Sequence, residues 1–311
     1  MKKLSWLLII FFITSCIAPS AEIIQTAIAK TQIAQPTNTK QPTPIKSPAT
    51  TFTEEYSIPE EFQGKLSLFI LAGQSNMSGF GELPKSIQDT NPRILLFGND
   101  YHWKIAVEPI DDSKNQVDIV SYDFLVGFSP ALAFATTLLE HYPDMVIGLI
   151  PCAKDKSSIY QWQRNLSDES LYGSCLKRIK AASTMGKVAG ILFFQGESDA
   201  LDPNFPPKQI RLPNEWASRF MDFVNSWRSD LGLPKLPVIF AQIGQNTAPD
   251  RFYYWEIVKQ QQEAVKMSFC KMIKTDDLDL ADDIHFTTES YKVIGTRFAN
   301  AYMGLIQINQ P

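Results

Sequence analysis

A chain of 311 residues with 20% charged residues, 12% aromatics and a formal net charge of −4 carries enough apolar side chain to bury a core. It has no basic stretch suited to nucleic acid, so nucleic acid is excluded as the main partner. The mildly acidic balance speaks only to solubility.

At the N-terminus, Lys2 and Lys3 precede an apolar run from Leu4 to Ile13, too short and wrongly flanked for a membrane span. The run ends Ile13-Thr14-Ser15-Cys16. Small residues before a cysteine resemble a bacterial lipoprotein processing site. Residues 1–16 are therefore expected to be a signal peptide and Cys16 the lipidated first residue of an exported chain attached to membrane at the cell envelope. Ordinary secretory cleavage near Ala18 or Ala21 is the alternative. Residues 17–62 are rich in Pro, Thr and Gln with few large apolar side chains, so they read as a disordered, extended tether. The catalytic domain is expected at 63–308.

From Lys65 onward, strands and helices alternate. Buried strands are predicted at Lys65–Ala72, Met145–Pro151, Val188–Phe194 and Pro237–Gln242, with a shorter one at Cys270–Lys274. Ile94–Phe97 and Trp103–Ala106, joined through Gly98-Asn99-Asp100, predict a hairpin after the first strand. Amphipathic helices are predicted at Pro130–His141, Glu169–Ser183, Asn214–Leu231, Tyr253–Ser268 and Thr288–Ile306. Such alternation implies an α/β fold, a central parallel sheet covered by helices on both faces.

The first strand runs through Leu68-Phe69-Ile70-Leu71-Ala72-Gly73 straight into Gln74-Ser75. Open α/β sheets place their chemistry just past the carboxyl ends of such strands. A serine there becomes a nucleophile when a base reaches it and an oxyanion hole receives the developing charge. His285, in Asp282-Asp283-Ile284-His285, supplies the base, and Asp282, three residues before it, can fold back onto the second ring nitrogen. Asp279 and Asp283 are alternative partners. A third strand end, Phe194-Gln195-Gly196-Glu197-Ser198-Asp199, adds an amide and two carboxylates. No metal site is expected: His102 and His141 lack ligand spacing, and Asp276, Asp277 and Asp279 lack the pattern of a calcium loop. With Cys16 lipidated, Cys152, Cys175 and Cys270 remain, and one disulfide between Cys152 and Cys175, which flank one loop region, is expected. Three buried thiols are the alternative.

Gly73-Gln74-Ser75-Asn76-Met77, Gln195-Gly196-Glu197-Ser198-Asp199 and Asp282-Asp283-Ile284-His285-Phe286 together resemble the signature blocks of the SGNH hydrolase superfamily. More narrowly they resemble its sialate O-acetylesterase domain, grouped with acetylxylan esterases in carbohydrate esterase family six. The resemblance runs from about Leu66 to Tyr302. It implies a flavodoxin-like three-layer α/β/α sandwich and a serine esterase without cofactor, acting on an acetylated carbohydrate such as xylan or a sialic acid-like sugar. It makes Ser75 the nucleophile, His285 the base and Asp282 its partner. It implies an oxyanion hole from the backbone N–H of Ser75, a backbone N–H in the second block, taken here as Lys156, and the side chain of Gln195. Gln74, Asn76, Glu197 and Trp162 are expected to bind substrate, with Tyr160, Trp103 and Trp255 as further aromatic candidates. The second block departs from the family: Asp155 and Lys156 stand where two glycines are usual, and they adopt glycine-like backbone angles only at a cost. A sugar-binding lipoprotein with weak or no turnover, and a lipase or thioesterase of the same superfamily, are the competing readings.

Overall fold

The computed structural model describes residues 56–308 apart from residue 87. The expected signal peptide, Cys16 and residues 17–55 of the expected tether lie outside the described residues. Residues 56–62 belong to the folded body rather than to a tether. Ile58 is buried in the core, Phe62 packs on it from the short 3-10 turn Glu60–Phe62, and Gln63 Nε2 donates to the Ile58 carbonyl at 3.1 Å.

The body is a three-layer α/β/α sandwich around a seven-stranded sheet. Its strands are β1 (Leu66–Gly73), β2 (Ile94–Phe97), β3 (Trp103–Ile105), β4 (Ile147–Pro151), β5 (Gly186–Phe194), β6 (Val238–Ala241) and β7 (Cys270–Ile273), in the order β3-β2-β4-β1-β5-β6-β7. Every pairing is parallel except β2 with β3, the expected hairpin, where Leu96 faces Lys104. The helices are α1 (Ser75–Ser78), α2 (Ala131–His141), α3 (Leu171–Ala182), α4 (Glu197–Ala200), α5 (Trp216–Leu231), α6 (Trp255–Ala264) and α7 (Thr288–Ile308). Helix α6 stops at Ala264, four residues before its predicted end, because Val265 turns extended (φ −62°, ψ 120°) to lead into β7.

Alternate residues of β1 feed opposite cores, as strand geometry dictates. Leu68, Ile70 and Ala72 pack with Cys175, Ile179, Phe220 and Trp227 of α3 and α5, while Phe69 and Leu71 pack with Phe134, Ile294 and Phe298 of α2 and α7. The sheet is thus buried on both sides, which is why its strands read as continuous apolar runs. The chain winds to one side of β1 and then to the other, so the crevice beyond the carboxyl ends of β1, β4 and β5 is the place for a ligand.

Two covalent or polar clamps fix β4 to α3. Cys152, immediately after β4, is disulfide-bonded to Cys175, as expected, and Cys270 is a free thiol. Arg178, one turn on from Cys175 and fully buried, donates to the Pro151 carbonyl, to Asn99 and to Asp118 Oδ2.

Candidate active site

Gly73 ends β1 at φ 134°, and a Cβ there would lie 2.1 Å from the Phe194 carbonyl oxygen. Only glycine lets β1 and β5 approach this closely. The Gln74 N–H then donates to that same carbonyl at 2.8 Å, and the chain turns into the single helical turn α1 with Ser75 as its first residue. The N–H groups of a first turn have no helical partner, and the Ser75 amide makes no hydrogen bond among the described residues.

His285 arrives from the far end of the chain. Asp282 shapes the loop that carries it: Oδ1 accepts from the N–H groups of Ile284 (2.9 Å) and His285 (2.8 Å), and Oδ2 takes the imidazole Nδ1 at 2.7 Å. Thr287 caps α7 by accepting from the Ser290 N–H, which fixes the loop's exit. A carboxylate only accepts, so Nδ1 carries the ring hydrogen and Nε2 presents its lone pair to Ser75 Oγ, 2.9 Å away. The Phe80 ring lies parallel to the imidazole at 4.1 Å and holds its plane. Burial pushes the Asp282 carboxyl up, but its hydrogen bonds from Ile284 and His285 outweigh that and hold it below the usual carboxylate value.

The second block passes alongside. The Lys154 N–H donates to the Gly73 carbonyl and the Asp155 N–H to Asp123 Oδ2, while Lys154 Nζ pairs with Asp123 Oδ1. Of the two residues standing for glycines, only Lys156 adopts a left-handed backbone (φ 60°). Its N–H makes no hydrogen bond among the described residues, and its ammonium pairs with Asp155 at the surface.

The third block differs from expectation. The side chain of Gln195 is wholly buried, and its two amide hydrogens face three acceptors: Ser157 O (3.0 Å), Asp199 Oδ2 (2.7 Å) and Gln74 Oε1 (3.3 Å). Its oxygen takes the Trp216 indole N–H at 2.8 Å. It is a strut between blocks, with no hydrogen left for an oxyanion. Trp162 is also corrected: it has no exposed surface, donates to Ser157 Oγ at 3.0 Å and packs on Phe193 and Phe223, so no sugar ring can stack on it. Trp255 is core as well, whereas Tyr160 stays 43% exposed. Gln74, Asn76 and Glu197 are buried and bonded to one another's blocks rather than turned outward. Gln74 Oε1 accepts from the Ser198 N–H, and Asn76 Nδ2 donates to Glu197 Oε1. Burial pushes Glu197 up to about 7 and Asp199 to about 6.

Phe80, Tyr291 and Asp123 enter the site without a motif to announce them. Phe80 follows the serine turn closely, but Tyr291 carries the same helical spacing as any core residue of α7, and Asp123 sits in an irregular loop.

A family profile described as carbohydrate esterase, sialic acid-specific acetylesterase matches residues 65–304. A probable carbohydrate esterase of Arabidopsis thaliana is 30% identical over 254 residues, covering 76% of this chain and 90% of that protein. A crystal structure of an Arabidopsis thaliana protein superposes with TM-score 0.65 at 28% identity, over 77% of this chain and 98% of that one. NanS superposes with TM-score 0.59 at 16% identity, over 79% and 99%, a likeness of fold.

Proposed function

We propose, from the premise that this chain belongs to the sialic acid-specific acetylesterase family of carbohydrate esterases and hydrolyses carboxylic esters, that it removes O-acetyl groups from carbohydrate by a Ser75–His285–Asp282 mechanism. The observation that carries this reading is the unbroken line Asp282 Oδ2, His285 Nδ1, His285 Nε2, Ser75 Oγ, with contacts of 2.7 and 2.9 Å. In it, Nε2 takes the hydroxyl proton as Oγ attacks the acetyl carbonyl carbon, and Asp282 stabilises the imidazolium that forms. The oxygen that becomes negative is received by the N–H groups of Ser75 and Lys156. The imidazolium returns its proton to the departing sugar oxygen, leaving acetyl-Ser75. Water, deprotonated by His285, then attacks the acetyl group and releases acetate. The left-handed backbone of Lys156 and its unbonded N–H support turnover despite the missing glycines, because that amide stays free to receive the oxyanion.

The substrates put forward are acetylated xylan and O-acetylated sialic acid-like sugars. Export, with Cys16 lipidated and residues 17–55 as spacer to the cell envelope, is part of the same proposal. The Cys152–Cys175 disulfide supports it, since such bonds persist in oxidising compartments. No helix among the described residues is long and apolar enough to cross a membrane.

The test is acetate release from p-nitrophenyl acetate, acetylated xylan and O-acetylated sialic acid by wild type and Ser75→Ala. Release lost in the variant is the expected result. A folded wild type that binds sugar but releases no acetate overturns the esterase reading for a binding one, and preference for long acyl chains overturns the acetyl specificity.

A further inference from the structure

Glu197 opens the single turn α4 at the end of β5 and is 1% exposed. Its Oε1 accepts from Asn76 Nδ2 at 2.5 Å, and its Oε2 is buried with no partner among the described residues. Asn76 directly follows the serine. Its second amide hydrogen goes to the carbonyl of Ile284, the residue before the histidine, at 3.0 Å. Its oxygen takes the Tyr291 hydroxyl of α7 at 2.6 Å. Both Asn76 amide hydrogens are therefore used and its oxygen accepts one bond, so it joins the turn carrying Ser75, the loop carrying His285, and helix α7.

The orientation of that amide is not free. Ile284 O only accepts, and so does Glu197 Oε1 toward the Asn76 amide. Between them they draw both Nδ2 hydrogens to one side and leave Oδ1 for the tyrosine. Glu197 is the sole side chain in this set that comes from the turn following β5, so it references the other two segments to the centre of the sheet. It sits among carboxylates, with Asp155 and Asp199 close enough to repel its charge. Glu197 thus occupies an unfavourable place, and the use the structure makes of it is one hydrogen-bond acceptor aimed at Asn76.

We propose that Glu197 is a positioning residue: through Asn76 it holds the serine turn and the histidine loop in register, and so sets the Ser75–His285 hydrogen bond without touching substrate. This rests on the serine esterase reading above. A displacement of reacting groups by about an ångström costs on the order of 100-fold in rate.

Steady-state kinetics on p-nitrophenyl acetate and acetylated xylan, with active sites counted by a fluorophosphonate that labels Ser75, test it. Glu197→Ala is expected to lower kcat about 10- to 100-fold on both substrates, with KM within about twofold of wild type. Glu197→Gln, which keeps an acceptor oxygen and the volume but not the charge, is expected to restore kcat to within about fivefold of wild type. A wild-type kcat in a folded Glu197→Ala overturns the proposal, as does a KM that rises for xylan alone, which would mark direct contact with the sugar. If Glu197→Ala fails to fold, Tyr291→Phe loosens the same amide from its other end and is expected to lower kcat at unchanged KM. An unchanged kcat there overturns the proposal too. A wild type whose Ser75 is not labelled, or a Ser75→Ala variant that still releases acetate, overturns the esterase reading and the positioning role with it. Labelled, active wild type beside an indifferent Glu197→Ala overturns the positioning role alone.

Discussion

Asp282 serves two purposes with one carboxylate: it ties down the two N–H groups that bring His285 into place and it selects the ring tautomer that accepts from Ser75. Asp282→Asn would keep the loop, through the surviving oxygen, but turn an amide N–H toward Nδ1. We expect kcat on p-nitrophenyl acetate to fall by about 100- to 10,000-fold while the unfolding temperature changes little. At Lys156 the expectation runs the other way. A left-handed lysine costs about 1–2 kcal/mol relative to its relaxed backbone, so Lys156→Gly preserves the N–H and relieves strain. Its kcat should stay within about threefold of wild type, measured on the same ester. The grouping of Ser75, Asp282 and His285 was legible in the sequence because it depends on local pattern: a strand ending in serine, and a three-residue spacing that closes a carboxylate onto an imidazole. Trp162 was not. It shares the short 3-10 turn Ile159–Trp162 with Tyr160, and one turn is too little pattern to say which aromatic faces the core. Nor was the fate of Gln195, since an amide reads alike whether its hydrogens are free or spent.

Among the elements, β1 and the segment that follows β4 carry the steepest consequences. Gly73→Ala would drive a methyl into the Phe194 carbonyl. We expect either insoluble protein or a loss of several degrees in unfolding temperature together with loss of activity, because Ser75 is two residues on. The Cys152–Cys175 bond closes a segment with a sequence separation of 23 residues, which by chain entropy is worth about 3 kcal/mol. Cys152→Ser with Cys175→Ser should lower the melting temperature by roughly 6–12 °C by calorimetry, at about 2–4 °C per kcal/mol for a domain of this size. Activity should fall less, since Arg178 still grips the Pro151 carbonyl. The strands and helices themselves were readable to within a few residues, because a sheet buried on both faces leaves long apolar runs and its covering helices leave amphipathic ones. The start of the body was not readable. Ile58 and Phe62 stand alone in a Pro- and Thr-rich stretch, and nothing local marks them as anchored in a core.

At the scale of the folded body, the carboxyls that burial raises outnumber, among the described residues, those held low, and together they set the response to pH. Burial, against hydrogen bonds from Ser129 and the Ile110 N–H, raises Glu108 to about 8. Burial likewise raises Asp111 to about 7, Glu197 to about 7 and Asp199 to about 6. Each binds its proton more tightly folded than unfolded, so each contributes stability that is present below about pH 4 and is lost as pH rises through its folded value. Asp277, held at about 2 by Arg297, works in the opposite sense and loses its contribution only as pH falls toward 2. Melting temperature should therefore be highest near pH 4–5 and decline toward pH 8.5, and Glu108→Gln should flatten that decline. A melting temperature that climbs from pH 5 to 8.5 would contradict it.

The outermost strands of the sheet, β3 and β7, are three and four residues long, and each carries a lysine in its span, Lys104 and Lys271. A strand from another molecule added to either margin would have to accommodate an ammonium along a ladder only a few residues long. The sheet is thereby capped at seven strands. At high protein concentration, crowded copies should remain separate particles instead of stacking into fibres.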